Sequence, residues 1–336
     1  MQIAIFGRSI EEKWMTRLYQ VLDYFESQGV TLVWFEPFYY FIKEKLHGSL
    51  SVAPTYTFQT GIPHECSLLL NLGGDGVFLE SLILTKDRDI HVAGINFGRL
   101  GFLAGVEGGR GGMAEAEGGM QKAAGGRGGP TCPPAPEGCI GHVEGSIAEP
   151  PEKCLERLIT GDFCVEERLV IEVSSDALPK GFFPYALNEC ALLRKGPAMI
   201  SISVMLQSGA LPAYWADGLI VATPTGSTAY ALSVGGPIVF PSADVLVVAP
   251  IAPHNLNMRP IVIPHSEELT VCAQGRAPEV ILTLDNRSVS IPCGSKISIR
   301  RAPFVLQYVA LQEQHFVSAL HQKLLWGFDK RNEERQ

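Results

Sequence analysis

"LLLNLGGDGVFLES", residues 68–81, carries an apolar strand straight into Gly73-Gly74-Asp75-Gly76, after which apolar periodicity resumes. Glycine costs conformational entropy, so three of them around one aspartate make sense where something must approach the main chain closely. Asp-Gly is also a common turn dipeptide, and taken alone this fragment fits a tight turn equally well. The flanking sequence has to separate the two readings.

Outward from this junction, residues 1 to about 105 alternate strand and helix patterns. "QIAIFG" reads as a strand, "EEKWMTRLYQVLDYFESQG" as an amphipathic helix closed by glycine, and "VTLVWF" as a second strand. After a polar stretch come "CSLLLNLG", the helix-like "VFLESLILTK" and the strand "HVAGINFG". Strands alternating with helices at these lengths imply an α/β domain with an open, mostly parallel, Rossmann-like sheet. Ligands of such sheets bind beyond the carboxyl ends of the strands. Gly73 to Gly76 and Asn96 to Gly98 fall at ends of that kind, which favours a binding turn over a bare one.

From about 165 to 310 the pattern becomes short β-branched runs between turn residues, among them "LVIEVSS", "ISISVMLQ", "GLIVAT", "DVLVVAP" and "VILTLD". This reads as an all-β, sandwich-like domain of antiparallel sheets, with "SIPCGSKISI" as a hairpin. The tail "EQHFVSALHQKLLWGFDKR" sets Phe316, Leu320 and Leu324 on one helix face, expected to return to the N-terminal domain. Between the domains, residues 108–129 hold ten glycines and the unit GGRGG twice, a composition unable to build a core. The chain thus divides into an α/β domain (1–105), a glycine-rich, disordered insertion (106–146), an all-β domain (147–305) and a tail (306–336).

Composition narrows the partners. With 336 residues, 46% hydrophobic and 18% charged, the chain suits two compact domains rather than a disordered one. The net charge of -8 argues against broad affinity for nucleic acid or anionic membrane. The GGRGG units bring only two arginines and no aromatics to stack on bases, so RNA is not the expected partner. No uninterrupted apolar run reaches the ~18 residues needed to span a bilayer. "MQIAIFGRSI" reads as a first strand rather than a secretion signal. The eight cysteines (66, 132, 139, 154, 164, 190, 272, 293) are scattered without a C-x-x-C pair, as in a reduced, cytoplasmic enzyme. No His/Cys/carboxylate spacing suggests a tightly held metal.

The chemistry gathers in three places. A glycine-rich turn between strand and helix presents N–H groups to a phosphate, while an aspartate inside it would repel that phosphate unless a metal ion or a hydroxyl proton lay between. Phosphoryl transfer uses both: Mg²⁺ against developing charge and a carboxylate for the attacking hydroxyl's proton. Asp75 could serve in either role. In "YWADGLIVATPTGSTAYALSVGGPI", residues 214–238, a rigid bend of hydroxyls can grip ribose or phosphate without positive charge, or simply form a Ser/Thr-rich turn. In "PYALNECALL", Asn188 and Glu189 are polar groups in an apolar strand and need partners, from a ligand or from within the fold. His254, in "APHNLNMRP", is expected to fix a turn or a subunit contact.

Taken together, GGDG, "NFGRLGFL" (96–103), Asn188-Glu189, "DGLIVATPTGSTAY" (217–230), "PIAPHNLNMRP" (250–260) and the tail "KLLWGFDKR" resemble the NAD kinases in order and spacing. The resemblance covers nearly the whole chain except about 106–146. It implies phosphoryl transfer from ATP, or polyphosphate in some members, to the 2′-hydroxyl of NAD's adenosine ribose, with Mg²⁺ carried by the nucleotide. By matching position, Asp75 would accept or organise the 2′-hydroxyl proton. Gly73, Gly74 and Gly76 would admit the phosphates, and Phe97 and Gly98 would line the NAD pocket. Asn188 and Glu189 would bind NAD through its adenosine portion or a neighbouring subunit's share of the site. Asp217 would contact the nicotinamide side, while Thr225, Thr228, Ala229 and Tyr230 would surround adenine and ribose. The resemblance also implies a homodimer or homotetramer whose β domains complete one another's pockets.

The sequence departs from that family pattern twice. Val77 stands where the family usually has Thr after GGDG, and the glycine-rich insertion follows "GFLAG" directly. Two rival functions share parts of the pattern. A diacylglycerol-type lipid kinase has the glycine-rich Asp turn but no need of TPTGSTAY with Asn-Glu. A non-catalytic NAD(H)-binding regulator would retain the pocket and lose turnover, with Val77 as its only hint.

Overall fold

The computed structural model describes residues 1–46, 50, 52–86, 88–97, 102–103, 106–107, 151–311 and 316–324. Most of the glycine-rich insertion, Gly98, Cys132, Cys139 and the tail from 325 onward lie outside these residues.

The N-terminal layer is built from β1 (Gln2–Gly7), α1 (Met15–Ser27), β2 (Thr31–Phe35), α2 (Glu36–Lys45) and β3 (Thr55–Tyr56). It continues through β4 (Cys66–Leu72), α3 (Asp75–Glu80), α4 (Leu82–Thr85), β5 (His91–Asn96) and β6 (Val106–Glu107). Strands 1, 4 and 5 are buried almost end to end, as strands covered on both faces must be. In α1 the buried residues Leu18, Val21, Leu22 and Phe25 recur every three to four positions and turn one stripe to the sheet.

All these strands pair in parallel, in the order β3-β2-β1-β4-β5, with β6 beside β5. From β1 the chain winds outward through β2 and β3, then returns to β4 on the other side of β1. The winding therefore reverses between β1 and β4, and a crevice opens at their carboxyl ends. Gly7 pairs with Leu72 there, so the residues leaving both strands face one another across the crevice.

A helix, α5 (Pro151–Thr160), precedes the β-rich part. Its Cys154, Leu155 and Leu158 pack in the N-terminal core, although the sequence places residues from 147 onward in the all-β domain. The strands that follow are β7 (Cys164–Ser174), β8 (Tyr185–Ala186), β9 (Glu189–Arg194), β10 (Ile200–Leu206), β11 (Gly209–Ala210), β12 (Tyr214–Ala216) and β13 (Gly218–Ala222). A 3₁₀ turn (Thr225–Thr228) and α6 (Tyr230–Ser233) lead to β14 (Val245–Ile251), β15 (Ile261–Pro264) and β16 (Leu269–Gln274). The chain closes with β17 (Glu279–Leu284), β18 (Arg287–Pro292), β19 (Lys296–Ala310) and α7 (Phe316–Leu324).

One antiparallel sheet runs β15-β14-β13-β9-β17-β18. It faces β10, β16, β19 and β7 across a core that includes Ile202, Val204, Leu219, Val221 and Leu282. The result is the expected α/β layer plus antiparallel sandwich. In α7, Phe316 meets Phe102 of the N-terminal half with ring centroids 6.5 Å apart and Phe240 of the β-rich half at 5.1 Å, so the last helix touches both.

"SIPCGSKISI" is not a hairpin. Strand β18 pairs with β17 in one sheet and β19 with β16 in the other, so residues 293–295 carry the chain between the two layers. Alternation of apolar residues reports the face of a strand but not its partner, which is why the sequence misreads this turn. The actual hairpin is β17–β18, closed by Asp285 and Asn286 between the paired Leu284 and Arg287. The 15-residue β19 also belongs to both halves. Ile299 pairs with Leu269 of the sandwich, and Tyr308 pairs with Val92 of the parallel sheet.

Candidate active site

Asp75 opens α3 directly beyond β4. The N–H of Gly73 still donates to Ile95 O at 3.0 Å, and Gly73 has φ +157°. A Cβ on Gly73 would lie 2.8 Å from Val77 Cγ2, so the valine fills the space beneath the turn. The Asp75 carboxylate accepts the N–H of Phe102 at 2.6 Å on Oδ2 and that of Leu103 at 3.0 Å on Oδ1. An ionised carboxylate has about four acceptor positions. The amides of Phe102 and Leu103 engage both oxygens and fix the orientation of the carboxylate at the crevice. Asp75 and Gly74 are half-buried and Gly76 is exposed.

Charged groups flank this turn. Glu80, at the far end of α3, accepts the guanidinium Nε of Arg8 at 2.6 Å, and Arg8 leaves β1 at the crevice. That guanidinium also lies 5.5 Å from the ring centroids of Phe35 and Phe58. Glu80 further accepts the side-chain amide of Asn286 at 3.4 Å, which ties α3 to the β17–β18 hairpin. On the side of β19, burial pushes the Tyr308 phenol up to about 12, with Arg168 stacked 4.5 Å from its ring and opposing the rise.

Asn188 and Glu189 form the bend into β9, and both are buried. Their backbone is gripped from two directions. Thr223 donates its N–H to Asn188 O at 2.8 Å and its hydroxyl to Leu187 O at 2.5 Å. Gly226 packs so closely that a Cβ there would meet Asn188 O at 2.1 Å. On the opposite side the Asp285 carboxylate accepts the N–H groups of Leu187, Asn188 and Glu189 at 2.9, 2.8 and 3.2 Å. Asp285 sits at φ +51° in its hairpin turn, with a side chain 1% exposed.

The Glu189 carboxyl is raised to about 8, first by burial and then by the charge of Asp285, against a hydrogen bond from the Tyr230 backbone N–H. Among the described residues its Oε2 has no partner, nor has the buried hydroxyl of Thr225. Two such buried polar atoms, one on the bend and one on the 3₁₀ turn packed against it, are what a polar ligand would satisfy. Thr228 donates its hydroxyl to Thr225 O at 3.2 Å, Ala229 gives its N–H to Gly226 O at 2.9 Å, and the Tyr230 side chain is exposed beside them.

The structure thus brings Asn188, Glu189, Thr225, Thr228, Ala229 and Tyr230 together, and joins them to Asp75 through Glu80 and Asn286. Asp217 lies elsewhere. It precedes β13, whose Gly218 pairs with Leu193 and whose Ala222 pairs with Glu189, so four strand residues, about 13 Å, separate it from the bend. There it makes a two-pronged ion pair with Arg194, at 2.7 and 3.2 Å. Phe97 follows β5 with its ring in the apolar core, 4% exposed, so only its backbone could line a pocket. Gly98 lies outside the described residues. His254 is exposed and gives its backbone N–H to Trp215 O at 2.8 Å. Among the described residues no three His, Cys, Asp or Glu side chains converge as a metal cage, and no helix is long and apolar enough to cross a membrane.

Sequence reasoning missed Arg8, Glu80, Thr223, Asp285, Asn286 and the amides of Phe102 and Leu103. Asp285-Asn286 carries only a generic turn signal, and backbone donors leave no trace in side-chain pattern.

A parallel sheet with a glycine-rich turn at its switch point, joined to a sandwich that presents a buried acid–amide bend, defines a class of two-domain nucleotide-site proteins. Comparison with known proteins identifies the family within that class. Residues 3–110 match the model of the ATP-NAD kinase N-terminal domain, and residues 187–311 that of the ATP-NAD kinase C-terminal domain. The NAD kinase of Christiangramia forsetii is 32% identical over 340 residues, covering 99% of this chain and 100% of the relative. That of Porphyromonas gingivalis is 34% identical over 328 residues, covering 97% and 98%. The chain belongs to the NAD kinase family. Among solved structures, yeast NADH kinase complexed with NADH superposes with a TM-score of 0.74 at 19% identity, over 98% of this chain and 89% of the other. An Archaeoglobus fulgidus NAD kinase in complex with ATP gives 0.62 at 22% identity, over 95% and 98%. Both share this fold.

Proposed function

We propose that this chain transfers the terminal phosphoryl group of ATP to the 2′-hydroxyl of NAD's adenosine ribose, producing NADP. The observation that carries the reading is the Asp75 carboxylate, fixed at the sheet's switch point by the amides of Phe102 and Leu103. The 2′ oxygen forms its bond to the terminal phosphorus as the bond from that phosphorus to the bridging oxygen breaks. ADP leaves with the electron pair, and the hydroxyl proton passes to Asp75. An aspartate is a weak base toward an alcohol, so alignment of the hydroxyl has to do much of the work.

The chain's other groups hold the reactants. The backbone of Gly73, Gly74 and Gly76 gives the phosphates an approach that side chains would block. Asn188, Glu189 and the Thr225 hydroxyl take the adenosine ribose and base, satisfying the two unpartnered buried atoms. Asp75 offers hard carboxylate oxygen, the donor type Mg²⁺ prefers, and would help to hold an ion that arrives with the nucleotide. When bound, it neutralises charge on the phosphates. We assign Asp217, at the far end of β13 from the bend, to the nicotinamide side of the site, and the enzyme to a homodimer or homotetramer, as the family pattern implies. We assign the enzyme to the cytoplasm on its scattered cysteines.

The test is NADP formation by the purified chain, comparing ATP with polyphosphate and NAD with NADH, and using Asp75→Asn as control. Phosphorylation of diacylglycerol in place of NAD, or NAD binding without any NADP, would overturn the reading.

A further inference from the structure

We propose that Asp285 is a positioning residue for dinucleotide binding: from its hairpin turn it clamps the Leu187–Glu189 bend in the one shape that presents Asn188 and Glu189 to NAD. This rests on the proposed function, since it assumes that the bend contacts NAD.

Four observations support it. The carboxylate serves three successive amides, Asn188 and Glu189 on Oδ1 and Leu187 on Oδ2, so most of its acceptor capacity goes to this one bend. Asp285 also returns its own N–H to Glu189 O at 3.0 Å, which makes the clamp reciprocal. The residue holds φ +51°, a region where glycine is the natural occupant of a tight turn. Aspartate tolerates that region in hairpin turns, so one residue serves the turn with its backbone and the bend with its side chain. Finally, Arg287 stands 3.6 Å from the Asp285 carboxylate and donates to Tyr185 O at 2.5 Å, bracing the clamp from the strand before the bend. The Asp285 side chain is 1% exposed and spends its contacts on the bend, so it acts through the bend.

The clamp also sets the charge beside Glu189. The groups facing that carboxyl are Asp285 across the hairpin, the Tyr230 N–H and Cys190 next along β9. Arg287 lies behind Asp285, with Glu80 beyond it. Neutralising Asp285 removes the like charge nearest to Glu189, and Glu189 then ionises at lower pH.

The experiment compares wild type with Asp285→Asn and Asp285→Gly. The glycine variant relieves the backbone strain while deleting the clamp, which protects the test against simple unfolding. Calorimetry with NAD, and KM for NAD and for ATP in the NADP assay, are measured from pH 6 to 9. The expected result is at least a tenfold weaker NAD affinity in both variants, with KM for ATP changed less than twofold. In Asp285→Asn the pH midpoint of NAD binding should move to lower pH. Equal losses for NAD and ATP, an unmoved midpoint, or unfolding of both variants would make Asp285 a residue of the fold alone and overturn the proposal. Wild-type protein that binds NAD in this Asp285-dependent way yet forms no NADP would overturn the proposed reaction and leave the clamp standing.

Discussion

Glu80 and Asn286 stand 206 residues apart in the chain and meet at 3.4 Å, where α3 of the parallel layer touches the hairpin of the sandwich. Through this contact the helix that carries Asp75 and the turn that carries Asp285 share one carboxylate, whose other oxygen holds Arg8. Replacing Glu80 with alanine frees all three at once. The side chains of Arg8 and Glu80 are 45% and 26% exposed, so the ion pair itself contributes only about 0–1 kcal/mol. Urea unfolding of Glu80→Ala is expected to show a loss of that order, alongside a clearly raised KM for ATP or NAD. A loss above about 3 kcal/mol would mean that the seam stabilises the fold rather than the site.

Asp75→Asn keeps the size of the side chain and one carbonyl acceptor, but loses the base. General-base groups contribute about 10²–10⁴-fold to rate. A fall in kcat within that range is expected, with NAD affinity by calorimetry within a few-fold of wild type. A variant retaining most of its turnover would remove Asp75 from proton transfer.

Gly226→Ala would place a methyl 2.1 Å from Asn188 O and 2.5 Å from its carbonyl carbon. Both are backbone atoms already held by Thr223 and Asp285, so the bend cannot swing aside at little cost. Overpacking of this kind costs about 1–3 kcal/mol. Thermal or urea unfolding should show that loss, and NAD binding should weaken along with it. Unchanged binding would show that the bend adapts more freely than its contacts imply.

Glu189 gives a pH signature. Its carboxyl is raised from 4.5 to about 8, first by burial. As pH climbs through 4.5 the unfolded chain loses this proton while the folded chain keeps it, so stability falls until the folded group ionises near 8 and then levels off. Glu189→Gln has no such proton. Its unfolding free energy, followed by urea titration between pH 5 and 8, should decline less than that of wild type, by up to a few kcal/mol at the upper end. Parallel curves would indicate that Glu189 is ionised in the folded protein.

The parallel layer was readable because buried strands and a 3.6-residue helical stripe each leave a period in the sequence, as in β4 and α1. The turn at Asp75 was readable because three glycines are costly without a purpose. What escaped is what depends on pairing. "SIPCG" looks like any hairpin until β18 and β19 are seen to enter different sheets. Asp217 and Thr225 are neighbours in one motif but lie at opposite ends of β13, because a strand separates residues that sequence keeps close. The partners of Asp75 are amides at 102 and 103, and any side chain could stand there.

Strand β19 enters the sandwich at one end and the parallel sheet at the other. One strand's backbone, interrupted only by an irregularity between Arg301 and Val305, splints the two halves, so the molecule is poorly suited to the jaw-like closing by which many phosphotransferases exclude water. Sheltering of the reacting groups therefore falls to loops at the crevice mouth or to a second copy of the chain. Exchange of nucleotide should then be limited by movements far smaller than the rotation of a domain.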